Sequence, residues 1–124
     1  MNAPAASREL LQPFRLDRIA EVYGIGIGGI GMSALARWFK AQGIPVRGYD
    51  RTAGPMVESL RAEGIPVHTA PTPDALPQRP ESASAKQPLV MYTPAVPADF
   101  PELLEAQKRG LALHKRAAVL GAIT

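Results

Sequence analysis

The sequence predicts an α/β fold, a doubly wound parallel sheet of about five strands with helices on both faces. Short runs rich in β-branched residues alternate along the chain with segments whose apolar residues recur at helical spacing. Glycine follows the first three helical segments, as expected where a helix ends and the chain turns back toward the sheet. A chain of 124 residues has room for one such domain.

The first unit begins with the run IAEVYGI at 19–25, which predicts a buried strand. A glycine-rich stretch follows, and the segment 32–42 then predicts a helix that ends at Gly43. The apolar stripe of that helix consists of Met32, Leu35, Ala36 and Phe39. The second unit repeats this order. Residues 44–50 predict a strand, Pro55 opens a helix that continues to residue 63, and 65–69 predict a third strand.

The segment 70–88 contains five prolines and few apolar residues, which predicts a solvated loop with one turn near 74–76. A fourth strand is expected at 89–93. Asp99, followed three residues later by Glu102, is typical of a capping box at a helix start. That helix ends at Gly110, a fifth strand occupies 111–114, and a last helix begins at residue 116.

Composition excludes several classes of function. The chain has no cysteine, which removes disulfides and thiolate chemistry, and its two histidines, His68 and His114, lie far apart, so no metal site is expected. The basic residues are scattered, which argues against nucleic-acid binding. No stretch approaches the roughly 20 apolar residues of a membrane span, and the first residues do not read as a signal peptide. We therefore expect a cytoplasmic protein with a flexible extension over 1–18 and its domain at 19–124.

Five glycines occupy eight positions at 24–31, and Gly26, Gly28 and Gly31 form the pattern G-x-G-x-x-G. The pattern lies between a predicted strand and a predicted helix, and Asp50 follows 19 residues after Gly31. This context is typical of a Rossmann-like loop, in which backbone N–H groups at a helix N-terminus bind a pyrophosphate and the acid binds a ribose. Arg51 could instead accept a 2′-phosphate. The residues alone do not choose between NAD, NADP, FAD and a UDP-sugar.

Four stretches carry a resemblance to one family: VYGIGIGGIGMSALARWF (22–39), GYDR (48–51), YTPAVPADFPEL (92–103) and HKRAAVLGAIT (114–124). In this order they resemble the Mur ligases of peptidoglycan biosynthesis, in particular those that join L-alanine to UDP-N-acetylmuramate. The resemblance covers about residues 19–124. The run from Gly26 to Ser33 is its most distinctive part.

The resemblance implies the N-terminal, substrate-binding domain of an ATP-dependent ligase. The family's ATP-binding loop of the Gly-Thr-His-Gly-Lys-Thr-Thr type does not occur in this sequence. The central and C-terminal domains, and with them ATP and Mg²⁺, are therefore expected to belong to a longer chain. By itself this chain is expected to be inactive, with no catalytic or metal-binding residue, and to bind UDP-N-acetylmuramate.

The resemblance also assigns site residues. The set implied for the pyrophosphate is Gly26, Gly28, Gly29, Ile30, Gly31, Met32 and Ser33. Gly28 to Gly31 would donate backbone N–H groups, and Ser33 would add a hydroxyl. The set implied for the uridine side is Asp50, Thr93 and Arg116. Thr93-Pro94 stands where many family members have a pair of serines.

Three alternatives use the same loop and fold. A ligase that recycles murein tripeptide has a similar architecture, although its glycine loop reads differently. A stand-alone regulatory module that senses NAD or ATP would need the glycines and Asp50 but not the stretches at 92–97 and 114–120. The cofactor half of a dehydrogenase would be expected to bring a second mononucleotide-binding half.

Overall fold

Five parallel strands form one sheet in the computed structural model, which describes residues 10, 11 and 14–124. The strands are β1 Ile19–Ile25, β2 Val46–Tyr49, β3 Val67–His68, β4 Gln87–Tyr92 and β5 Ala112–Lys115. The helices are α1 Ile30–Ala41, α2 Pro55–Ala62, α3 Pro101–Lys108 and α4 Arg116–Ile123. Short 3-10 turns lie at Leu16–Arg18 and Pro73–Ala75. The strand order is β3-β2-β1-β4-β5, so the order reverses between β1 and β4. The predicted doubly wound α/β fold is confirmed.

Side chains alternate between two apolar layers, one on each face of the sheet. Along β4, Leu89 and Met91 join the layer that α1, α2 and α4 cover, whereas Val90 joins the layer under α3. Both layers contain fully buried residues, as a parallel sheet with two covered faces requires. Helices therefore lie on both faces, as the sequence predicted.

The strands after α1 and α2 begin two residues later than predicted. At each helix end a glycine has a positive φ, and the next residue bonds back into the helix: Ile44 N–H donates to the Phe39 carbonyl and Ile65 N–H to the Leu60 carbonyl. These are Schellman-type ends, in which an apolar residue after the glycine closes the last turn. Ile44 and Ile65 are consequently buried cap residues. The tetrapeptide Gly-Ile-Pro-Val occurs at 43–46 and again at 64–67, where the same kind of helix ending is used twice.

The predicted capping box at the start of α3 is wrong. Phe100 occupies the cap position and no side chain caps the helix, while Asp99 is exposed. Glu102 does not reach back to the cap because its carboxylate is buried and bonded to groups under the sheet. Hydrogen bonds to buried donors therefore determine the position of the Glu102 side chain, and the local capping-box pattern does not.

Residues 70–86 form a loop with one 3-10 turn, as expected, and β4 begins at Gln87, two residues before the predicted strand. Three arginines donate hydrogen bonds to carbonyls of this loop. Arg109 donates to the carbonyls of Leu76 and Pro77, at 2.7 and 3.2 Å. Arg47 donates to the Ala75 carbonyl, and Arg18 donates to that of Ala85 at 3.0 Å. Leu76 is buried in the layer under α3. The segment is therefore less solvated than its composition predicts.

The domain extends before residue 19. Leu10 and Leu11 are buried in the core, and the Phe14 ring lies 6.2 Å from that of Trp38. The flexible extension predicted over 1–18 therefore does not describe residues 10, 11 and 14–18. Residues 1–9, 12 and 13 lie outside the described part of the chain. No helix among the described residues is both long enough and apolar enough to cross a bilayer.

Candidate functional site

The loop from Gly26 to Gly29 joins β1 to α1 and is held against the end of β2. The N–H groups of Gly26 and Ile27 both donate to the Tyr49 carbonyl, at 2.8 and 2.9 Å. Gly26 has φ +85°, and a Cβ placed on it would lie 2.5 Å from Cγ2 of Thr93. Both the backbone conformation and the close approach of β4 therefore require glycine at this position.

The Asp50 carboxylate holds the loop in place through hydrogen bonds from backbone N–H groups. Its Oδ2 accepts the Gly28 N–H at 2.8 Å, and its Oδ1 accepts the Thr52 N–H at 3.0 Å. A Cβ on Gly28 would lie 2.8 Å from the same Oδ2, so this glycine lets the carboxylate approach. The expectation that Gly28 donates its N–H to a pyrophosphate is not met in this structure, because that N–H already donates to Asp50.

The N-terminus of α1 has three N–H donors without an acceptor among the described residues. Gly29 is the N-cap, no side chain caps the helix, and its first turn holds no acidic residue. Within the described residues, the N–H groups of Ile30, Gly31 and Met32 make no hydrogen bond, whereas Ser33 N–H donates to the Gly29 carbonyl at 2.8 Å. Three converging N–H groups and the positive end of the helix dipole suit an anion.

Two residues assigned to the pyrophosphate turn their side chains into the helix layer instead. Ser33 is 2% exposed, and its hydroxyl donates to the Ile30 carbonyl at 3.0 Å. The Ser33 hydroxyl is therefore bonded within α1, and its predicted contact with the pyrophosphate stays a prediction. The Met32 side chain is 1% exposed and packs in the core, so its backbone N–H is the part that faces the loop.

Arg116 lies beside this helix N-terminus. A Cβ on Gly31 would lie 2.9 Å from Nη1 and 3.0 Å from Cδ of Arg116, so the absence of a side chain at Gly31 admits the arginine. The side chain of Arg116, the first residue of α4, therefore lies beside the glycine loop, and its predicted contact on the uridine side stays a prediction. Ile30, at the tip of the loop, is 87% exposed.

A cleft of about 470 Å³ opens next to the loop, at the carboxyl ends of β1, β2 and β4. Its lining is Gly26, Gly29, Tyr49, Asp50, Arg51, Thr93, Ala95, Val96, Pro97 and Phe100. The rings of Tyr49 and Phe100 lie 5.0 Å apart and form one wall of the cleft. The Thr93 hydroxyl accepts the Ala95 N–H at 2.9 Å and keeps its own proton to donate. A larger depression of about 550 Å³ lies at the opposite, amino ends of the strands, away from the glycine loop.

The structure thus brings Gly26, Gly29, Asp50 and Thr93 to one cleft, with the free N–H groups and Arg116 beside it. Sequence reasoning missed the aromatic wall. Tyr49 directly precedes the predicted acid, so its position at the same strand end could have been found from the pattern. Phe100 carries no such signal, because its place depends on how the connection after β4 folds back.

A buried polar cluster beneath this wall was also missed. The Glu102 carboxylate accepts the Tyr23 hydroxyl at 2.7 Å and the Thr72 N–H at 2.8 Å, and it lies 2.9 Å from Nε2 of His68. Burial and the hydrogen bond to Glu102 raise the pKa of Tyr23 far above its ordinary value. Burial, with the charges of Glu102 and Asp50, also raises the pKa of Tyr49. Both hydroxyls are therefore protonated at neutral pH.

Among residues 10, 11 and 14–124, no group of three or more His, Asp or Glu side chains is arranged to hold a metal ion.

A parallel sheet with a glycine loop, an open helix N-terminus and a cleft where the strand order reverses defines a Rossmann-like domain. Comparison with family models narrows this class. Residues 21–124 match the model described as "Mur ligase family, catalytic domain". The chain belongs to the Mur ligase family.

Curated relatives agree with this assignment. The chain is 50% identical over 110 residues to UDP-N-acetylmuramate–L-alanine ligase of Cytophaga hutchinsonii, which covers 88% of this chain and 23% of that protein. It is 50% identical over 103 residues to the ligase of the same name from Porphyromonas gingivalis strain W83, with 83% and 22% covered. The crystal structure of UDP-N-acetylmuramate-alanine ligase from Thermotoga maritima superposes with a TM-score of 0.70 at 31% identity, over 81% of this chain and 21% of that one. The chain thus spans about a quarter of the length of the curated relatives it matches.

Proposed function

We propose that this chain is the substrate-binding domain of a UDP-N-acetylmuramate–L-alanine ligase and that it binds the UDP end of the substrate. Family membership and the names of its relatives support the substrate class. One observation carries the proposal. Three N–H groups without an acceptor among the described residues lie next to a nucleoside-sized cleft, at the point between β1 and β4 where the strand order reverses. A nucleoside diphosphate needs both features side by side.

The pyrophosphate is proposed to bind at the N-terminus of α1. Ile30, Gly31 and Met32 would donate their N–H groups, and Arg116 would supply a positive charge beside Gly31. Gly26 and Gly28 would act by shaping the loop, since both of their N–H groups are already bonded to protein oxygens. Gly29 lines the cleft and would lie between the bound pyrophosphate and the bound nucleoside.

The uridine is proposed to occupy the cleft. Its volume of about 470 Å³ suits a nucleoside, and the rings of Tyr49 and Phe100 offer an apolar face to a base. Each oxygen of Asp50 accepts one backbone N–H and has a further lone pair, so the carboxylate can also accept a ribose hydroxyl. Thr93 would donate its hydroxyl proton at the β4 side of the cleft.

The chemical step of peptide-bond formation is not proposed for these residues. The chain has no Gly-Lys-Thr/Ser loop for ATP, and its described residues offer no ligand set for Mg²⁺. ATP, Mg²⁺ and the reaction with L-alanine would therefore belong to the remaining three quarters of a ligase of the relatives' length. This chain alone would bind its substrate without turning it over. A cytoplasmic location and a role in peptidoglycan synthesis go with this proposal.

An NMR titration of backbone amides tests the proposal, with UDP-N-acetylmuramate and NAD in separate runs. We expect saturable shifts at Ile30, Gly31 and Met32 with the UDP-sugar and none with NAD. Gly43, a glycine of similar φ at the far end of α1, serves as the reference amide. Shifts with NAD alone would favour a sensor or a dehydrogenase half, and no shift with either ligand would also contradict the proposal.

A further inference from the structure

Glu102 is the one charged side chain that is fully buried among the described residues, and the proposed binding contacts do not use it. Burying a carboxylate is costly unless hydrogen bonds replace the lost water. Here three donors from three separate parts of the fold converge on it: Tyr23 of β1, His68 of β3 and the Thr72 N–H of the following loop. The cluster therefore joins β1, β3 and the loop after β3 to the first turn of α3.

The hydrogen bonds around Glu102 indicate which ring nitrogen of His68 carries hydrogen. Tyr23 donates to Oε1, and Thr72 N–H donates to Oε2. Nε2 of His68 lies 2.9 Å from Oε2 and 3.0 Å from the Tyr23 hydroxyl oxygen, whose proton is already directed at Glu102. Neither oxygen offers Nε2 a proton, so Nε2 must itself carry hydrogen and donate. A Glu102 carboxylate that accepts all three hydrogen bonds thus requires the Nε2–H form of His68.

This cluster lies directly against the aromatic wall of the cleft. His68 pairs with Tyr49 in the register of β2 and β3, and their ring centroids are 5.7 Å apart. Phe100, the other ring of the wall, is the N-cap residue of α3 two positions before Glu102. Glu102 therefore fixes both sides of the wall, Tyr49 through the His68 ring and Phe100 through the start of α3.

We propose that Glu102 and His68 are positioning residues for the base of the bound nucleotide. Glu102 holds the His68 ring in one orientation and one tautomer, and together they hold the Tyr49–Phe100 wall at the spacing that the base requires. This inference rests on the proposed function of the cleft. It assigns no contact between Glu102 and the ligand, and it leaves the pyrophosphate loop independent of the cluster.

Matched substitutions at His68 test the inference, because this side chain is 30% exposed and tolerates change more readily than Glu102. His68→Gln can keep an N–H donor toward Glu102, whereas His68→Leu removes it. Binding of uridine monophosphate and of inorganic pyrophosphate is measured by calorimetry for each variant. Glu102→Gln is measured where it folds, and Glu81→Gln, at an exposed carboxylate, is the control.

We expect uridine monophosphate affinity to fall about tenfold in His68→Leu and to recover to within about threefold of wild type in His68→Gln. Pyrophosphate affinity should stay within about twofold in both variants, which a general loss of structure would not allow. In ¹⁵N-correlated spectra the wild-type His68 ring should carry its hydrogen on Nε2. Equal uridine monophosphate affinity in His68→Leu and wild type, or hydrogen on Nδ1 alone, would overturn the inference while the proposed function stands. If wild type binds neither probe, the proposed function fails and the inference with it.

Discussion

Two loops of this domain are built in opposite ways. The glycine loop at 26–31 exposes backbone donors: three successive N–H groups at the start of α1 have no acceptor among the described residues. The segment 70–88, although richer in proline, has carbonyls that are paired with arginines from three parts of the chain. One loop has central donors without a described acceptor, and the other is held to the protein through some of its carbonyls.

The comparison shows two ways to hold a loop in place. A loop held by flanking groups keeps its own polar groups free for a ligand, whereas a loop held through its own polar groups does not. The glycine loop is held by its flanking groups, the Tyr49 carbonyl and the Asp50 carboxylate, which leaves its central donors free. The segment 70–88 is held through four of its own carbonyls, those of Ala75, Leu76, Pro77 and Ala85. Composition alone would have ranked the proline-rich segment as the looser of the two.

Replacing Gly26 by alanine should break the glycine loop and cause the largest loss of stability. The new Cβ meets Thr93 at 2.5 Å on a backbone with φ +85°, so steric overlap adds to backbone strain. We expect the free energy of unfolding to fall by about 2–4 kcal/mol in urea denaturation. Gly43→Ala is the matched control, because its φ is also +85° but no atom lies within 4 Å, and it should lose only about 1 kcal/mol. Equal losses in the two variants would contradict the close approach at Gly26.

Replacing Arg109 by alanine should release the segment 70–88 without affecting the glycine loop. The guanidinium donates to two carbonyls and pairs with Glu105 at 2.8 Å, and these groups lose their partner in the variant. We expect a loss of about 1–3 kcal/mol in unfolding free energy and unchanged pyrophosphate binding. Lys108→Ala, at the exposed side chain next to Arg109, is the control. It should change neither the unfolding free energy nor the pyrophosphate affinity. A drop in pyrophosphate affinity for Arg109→Ala would show that the two loops are coupled.

Replacing Asp50 by asparagine should loosen the glycine loop while leaving 70–88 in place. The amide would point its NH₂ group at one of the two N–H donors that the carboxylate now accepts. We expect about 1–2 kcal/mol of lost stability, together with weaker binding of UDP-N-acetylmuramate. Asp99→Asn, at an exposed side chain, provides the control. Unchanged amide shifts at Gly28 in the Asp50 variant would argue against the observed hydrogen bond to Asp50.

The smallest expected effect concerns an ion pair that lies outside both loops. Arg37 forms a two-pronged contact with Glu63 and holds the pKa of that exposed carboxyl below its ordinary value of 4.5. A lowered folded-state pKa stabilises the fold above the unfolded pKa, and this contribution is lost as the pH falls below about 4.5. Unfolding midpoints measured between neutral and acidic pH should therefore fall slightly less steeply in Glu63→Gln than in wild type. A steeper fall in the variant would have the wrong sign.

The sequence was most informative where local chemistry decides the structure. The glycine pattern, the strand before it and Asp50 were all readable, because a strand, a tight turn and a helix start follow one another along the chain. The contact of Arg116 with Gly31 could not be predicted, because it depends on where α4 packs relative to α1. Glu102 matched a local capping pattern, yet its partners come from β1, β3 and the loop at 72, which no spacing rule connects.

The Glu102 cluster also bears on the order in which the chain folds. Tyr23 and Glu102 are separated by 79 positions, so their bond closes a loop that includes most of the sheet. Closing a long loop costs chain entropy before any contact rewards it, which places such contacts late in folding. The β1-α1-β2 unit, whose contacts are more local, should therefore assemble first. A nucleotide that needs the Tyr49–Phe100 wall would then bind only after folding is nearly complete.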